Sequence, residues 1–277
     1  MKIINGYEDF QQDVIEHNNW KKYYKKYATV FDSLFKYLYQ SDLQQLYPMI
    51  KKIDWMEMSV HATIGQKKLE RVDLWKMIQL CQDFFEFHHE SSIFCLVGLG
   101  HSDGAAPPSD RPFIYIGLER LENANLSVLI PHEFNHMVRF HALSEHASFR
   151  VIDLMIAEGL AALTPLMIYN QSITYETLAE GLMMSKEEVK HCVSCKWSFQ
   201  EDFNAILNED LMRHYFSKQP QADYSRIGYF IGAEIIFSLL LNGWTLKKLT
   251  VMTTDEILRE SFPLSSQGCF ARYLSDR

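Results

Sequence analysis

Cysteine is sparse and odd in number: Cys81, Cys95, Cys192, Cys195 and Cys269 are the five thiols in 277 residues. A small secreted scaffold stapled by disulfides needs a denser, even set, so that class is excluded. Positive charge is in deficit, with 27 Lys and Arg against 35 Asp and Glu. The resulting net charge of −8 argues against a sequence-independent grip on nucleic acid or an anionic bilayer. The deficit is uneven: residues 1–90 hold 12 basic against 13 acidic side chains, and residues 91–277 hold 15 against 22. Long uncharged apolar runs are missing as well. The two longest apolar stretches, 152–169 and 229–244, carry Asp153 and Glu158, or Glu234, and read as buried helices rather than membrane spans. The opening MKIINGYEDF has no charged segment leading into an apolar one. No export signal is therefore expected, and the expected setting is reducing and cytoplasmic.

What is present is an ordinary globular composition, 47% hydrophobic and 13% aromatic. Residues 7–90 read as a run of helices. Trp20, Tyr24, Phe31, Leu34, Phe35 and Leu38 recur at three- and four-residue steps, with Lys21, Lys22, Lys25 and Lys26 mostly opposite. Two short runs of strand formers follow, IFCLV at 93–97 and FIYIGL at 113–118, separated by the breaker-rich HSDGAAPPSDRP. Two strands joined by one loop suggest a small antiparallel sheet. From Leu126 the pattern is helical again, over 126–143, 148–169, 174–190, 199–216, 226–242 and 254–261. The expected fold is α+β and predominantly helical. A boundary is expected near residue 90, between a helical N-terminal region (1–90) and the remainder (91–277); the alternative is one continuous domain.

The segment that carries chemistry is IPHEFNHMVRF at 130–140, which contains His132-Glu133-x-x-His136. On a helix, residues four apart differ by about 40° in azimuth and one turn in height. Both imidazoles can then aim at one point about 2 Å from each nitrogen, as Zn²⁺ requires. Glu133 projects beside that point, placed to take a proton from a zinc-bound water without occupying a coordination site. Two histidines facing core or solvent is the plainer alternative. Pro131 either begins the helix or bends one that starts near Leu126.

A third ligand is needed. A longer motif would require Gly at 139 and His at 142, where the chain has Arg139 and Ala142. The remaining option is a glutamate from the next helix, returned by a turn around 144–148. Glu158 stands alone among Met155, Ile156, Ala157, Leu160 and Ala161, where an unpaired carboxylate would be costly to bury. Gly159 leaves room for close helix packing. An ion pair from Glu158 to Arg139 or Arg150 is the rival explanation, and His141, Glu145 and His146 are rival ligands.

The runs IPHEFNHMVR (130–139), AEGLA (157–161), RIGYFIGAEII (226–236) and LNGWTLKKLT (241–250) resemble the YjaZ-like family of bacterial, gluzincin-type Zn-dependent proteases. The resemblance covers about residues 90–260. It implies a zincin-like core with the sheet packed against the HExxH helix, one Zn²⁺ per chain, and a peptide or protein substrate. By position it implies His132, His136 and Glu158 as metal ligands and Glu133 as general base. It also points to Tyr229, between Gly228 and Gly232, as either the donor to the substrate oxyanion or a packing tyrosine.

The strand 113–118, if exposed at an edge near the motif, would hold an extended peptide, with loop 101–110 overhanging it. His101 then touches metal or substrate, or simply faces solvent. Cys192-x-x-Cys195 lacks the second pair of a zinc ribbon. Residues 173–189 have helix-turn-helix spacing, but Met183 stands where Gly is common, and Glu187 and Glu188 make a poor face for phosphate. The sequence thus points to a zinc metallopeptidase. The alternatives are a zinc-stabilised protein that presents a surface and cuts nothing, and a DNA-binding regulator.

Overall fold

The computed structural model describes residues 1–143, 149–194, 201–217, 226–261 and 268–275. The chain is predominantly helical with one small mixed sheet. Its contacts gather into two compact units, Met1–Ser144 and Glu145–Arg277. The boundary expected near residue 90 falls inside the first.

The first unit holds the sheet. Its strands are β1 (Lys2–Asn5), β2 (Ser92–Leu96), β3 (Gly104–Ala105) and β4 (Phe113–Gly117), in the order β1-β2-β4-β3. The expected antiparallel arrangement does not form. β1, β2 and β4 run parallel, with Ser92 opposite Phe113 and Leu96 opposite Gly117, and only β3 is antiparallel to β4. The reason is visible in the run FIYIG, which is apolar without alternation and buried along its whole length. That is the signature of a central strand covered on both faces, not of a half-solvated hairpin. β4 is therefore no edge; the terminal strand on its side is β3, drawn from the breaker-rich loop. β1 was not expected at all, because two isoleucines make no pattern until β2 offers them a partner.

Helices of the same unit close around an aromatic cluster in which Trp20 stacks on Tyr24 and Tyr23 meets Phe10 and Phe31 edge-on. Two of the lysines assigned to the outer face turn inward at their tips. Lys22 and Lys26 each reach a carboxylate oxygen of Asp13, whose side chain is fully buried, at 2.7 Å.

The second unit is organised by two apolar helices, Val151–Ile168 and Ile227–Leu241. Val151–Ile168 is the one helix among the described residues long and apolar enough to cross a membrane, and 83% of it is buried. The two helices touch backbone to backbone at Gly159 and Gly232, where a Cβ on Gly232 would lie 1.7 Å from the Met155 carbonyl oxygen. The stretch 173–189 forms two helices, Tyr175–Leu182 and Lys186–Ser194, with Met183 left-handed between them (φ 53°). Gly181 brings this pair onto the first apolar helix, since a Cβ there would stand 2.3 Å from the Ala162 carbonyl.

Glu234, inside Ile227–Leu241 and 3% exposed, accepts the Phe270 N–H at 3.0 Å at the start of the helix Cys269–Ser275. Burial pushes its carboxyl from 4.5 up to about 7. Between those values the folded chain keeps a proton that the unfolded chain has released, so stability falls as pH rises through that window. The loss amounts to about 3 kcal/mol at most. Glu234→Gln keeps an acceptor oxygen and cannot ionise, so urea midpoints at pH 5 and pH 8 should converge in the variant. An unchanged pH dependence would remove Glu234 from the account.

Candidate metal centre

The helix that carries the motif spans Leu126–Leu143. It starts where Asn125 takes the Ser127 N–H on its side chain at 3.1 Å and the Leu129 N–H on its carbonyl at 2.8 Å. The helix therefore runs through Pro131 rather than beginning there. Proline at that point, the sixth residue of the helix, removes the donor that would meet the Ser127 carbonyl, and the helix continues past it without that bond. Every residue from Val128 to Phe140 is buried, so the helix is enclosed on all sides instead of presenting one face. Motif polar groups inside such a helix need partners or a metal ion.

The geometry brings the two histidines together. His132 Nε2 and His136 Nε2 are 3.1 Å apart, with ring planes at 77°. Nitrogens at that spacing can each stand about 2.05 Å from a common point and subtend about 100° there, within the range of a tetrahedral zinc site. An N–H···N hydrogen bond would account for the pair alone. It would leave out Glu158. One ligand atom from each of His132, His136 and Glu158 lies within 4.8 Å of the other two, and all three residues are buried. Two imidazole nitrogens and a carboxylate oxygen form a donor set suited to Zn²⁺ with one position left open. This buried group could hold a metal ion.

Residues 89–259 match the family model described as predicted Zn-dependent protease (DUF2268). The chain belongs to this family. No curated protein and no solved structure matches it. The matched span contains His132, Glu133, His136, Glu158 and Tyr229, while residues 1–88 lie outside it.

Glu133, 6% exposed, follows His132 on the same helix, and β3 passes beside it. A Cβ on Gly104 would fall 3.0 Å from Glu133 Cγ and 3.2 Å from Oε1. The absence of a side chain at Gly104 lets a strand backbone approach the carboxylate closely. Nothing in the sequence marks Gly104 out from the other breakers of its loop.

The remaining candidates divide. Arg150, a rival partner for Glu158, is committed to Asp153 at 2.8 Å and to Asp255 at 2.9 Å. Arg139, the other rival, is 1% exposed within the motif helix. His141 is not in the metal group. It packs against Phe87 and His89, ring centroids 5.5 and 4.4 Å away, and its pKa is lowered by burial and by His89. Glu145 and His146 lie outside the described residues, as does Cys195; Cys192 is buried. Tyr229 sits in the first turn of Ile227–Leu241, its ring edge-on to Phe216 at 6.1 Å and 5.4 Å from the Arg226 guanidinium. His101 is exposed and meets the Tyr39 hydroxyl at 3.2 Å.

Proposed function

We propose that this member of the family is a gluzincin-type zinc peptidase that hydrolyses peptide bonds, with one Zn²⁺ per chain. The observation that carries the reading is the buried His132–His136–Glu158 group with Glu133 one residue from its first ligand. When bound, Zn²⁺ lowers the pKa of a coordinated water towards 7 and polarises a carbonyl.

The chain's own residues supply the rest. His132, His136 and Glu158 would hold the ion. Glu133 accepts the proton of the attacking water as the C–O bond forms, then delivers it to the amine nitrogen as the C–N bond breaks. The Tyr229 hydroxyl donates to the carbonyl oxygen as charge develops on it. β3 offers its outer edge to the main chain of an extended peptide, which Gly104 lets lie close to Glu133.

Protein purified without added metal should contain about one zinc per chain by mass spectrometry. It should cut oxidised insulin B chain, lose that activity to a chelator and regain it with Zn²⁺. His136→Ala should lose the metal. A second reading, a zinc-stabilised protein that cuts nothing, is favoured by the burial of all four motif residues. Zinc at full occupancy with no cleavage across a random peptide library would select it.

A further inference from the structure

We propose that His101 binds substrate: held in one tautomer by Tyr39, it offers its outer ring N–H to a main-chain carbonyl of a peptide lying along β3. The identity of the ligand rests on the peptidase reading above; the tautomer does not.

Tyr39 ends the helix Ala28–Tyr39. Its Oη lies 3.2 Å from His101 Nδ1, with the rings edge-on at 5.7 Å and 87°. Burial pushes the phenol up to about 12, so it keeps its proton at neutral pH and has an O–H to donate to Nδ1. A neutral imidazole that accepts on Nδ1 carries its proton on Nε2. The exposed residue thereby becomes a fixed donor.

The loop that carries His101 is pinned. Val97 N–H donates to Tyr23 Oη, and the Gly98 and Gly100 N–H groups donate to the Glu119 carboxylate, each at 3.0 Å. Past His101, the Asp103 carbonyl accepts the Gly117 N–H and its carboxylate meets Arg120, both at 3.0 Å. Gly100 at φ 82° makes the turn that a side chain would strain.

Three residues after His101 comes Gly104, whose backbone lies against Glu133. Three residues of chain span at most about 11 Å, or roughly three residues of a strand-like substrate. The helix that holds His101 also backs the metal group. Tyr37 meets Phe140 edge-on at 6.1 Å, and Phe140 stacks on His136 at 5.8 Å with planes 8° apart. Tyr37 and Tyr39 precede the span matched by the family, so this support comes from residues outside it.

Long-range ¹H–¹⁵N spectra of the zinc-loaded protein, assigned against His101→Gln, should show His101 as the Nε2–H tautomer. Tyr39→Phe should shift it towards a mixture. With oxidised insulin B chain, His101→Ala should raise KM about fivefold to tenfold, the effect of one lost hydrogen bond. kcat should move less than KM, zinc content should hold, and His101→Gln, which keeps an N–H near the Nε2 position, should recover most of the loss. A KM for His101→Ala within twofold of wild type, or an unchanged tautomer in Tyr39→Phe, overturns the proposal. Failure of the wild type to cut the B chain counts against the peptidase reading instead. His101 is then decided by titrating fluorescein-labelled B chain onto Glu133→Gln protein with and without His101→Ala. Weaker binding without the histidine upholds the proposal, and equal affinity overturns it.

Discussion

Glu133→Gln should retain zinc at the wild-type ratio while kcat on a peptide substrate falls by about 10²–10⁴-fold. The amide is nearly isosteric with the carboxylate and remains polar, so the buried helix position is still filled. What it loses is the capacity to accept a proton. The three metal donors are untouched, which separates this variant from His136→Ala, where metal and activity should go together. Circular dichroism and mass spectrometry of the variant establish that it is folded and loaded before rates are compared. Undiminished kcat in a loaded Glu133→Gln protein would remove Glu133 from the mechanism. A loaded, inactive variant alongside an active wild type would support it.

Gly232→Ala should cost the protein about 2 kcal/mol or more of stability. An added Cβ would stand 1.7 Å from the Met155 carbonyl oxygen and 3.2 Å from the Gly159 nitrogen. Both neighbours are backbone, so no rotamer change relieves the clash and the two apolar helices must separate. Alanine gains about 1 kcal/mol of helix propensity over glycine, which offsets only part of an overpacking penalty of about 3 kcal/mol. Glu158 is adjacent to Gly159 at this crossing, so zinc affinity should fall as well. Urea unfolding reads the first effect, and competition with a chromogenic chelator reads the second. A variant as stable as wild type, with the same zinc affinity, would show that the crossing is looser than the backbone distances require.

The meeting of His132 and His136 was legible because their spacing is local. Four residues on a helix decide whether two imidazoles can share an ion, and a run of apolar neighbours decides that the helix is buried. The ends of the expected helices 126–143 and 254–261 coincide with Leu126–Leu143 and Thr254–Ser261, whereas the helix expected over 199–216 begins only at Glu209, after a short 3₁₀ turn at Glu201–Asn204. The helix-turn-helix spacing of 173–189 is realised as two helices, the first ended by Met183 in a left-handed conformation. Tyr39 carried no signal, since an aromatic at helical spacing reads as core.

The sequence by itself determined which segments coil and which residues can act as donors, because both follow from side-chain chemistry and from a repeat of a few residues. Only the tertiary structure decided strand direction, the edge formed by β3, the enlistment of residues 2–5 into the sheet and the pairing of Tyr39 with His101. Each of these joins residues far apart in the chain, and the energy that selects them arises from packing and hydrogen bonds that exist only once the partners have met.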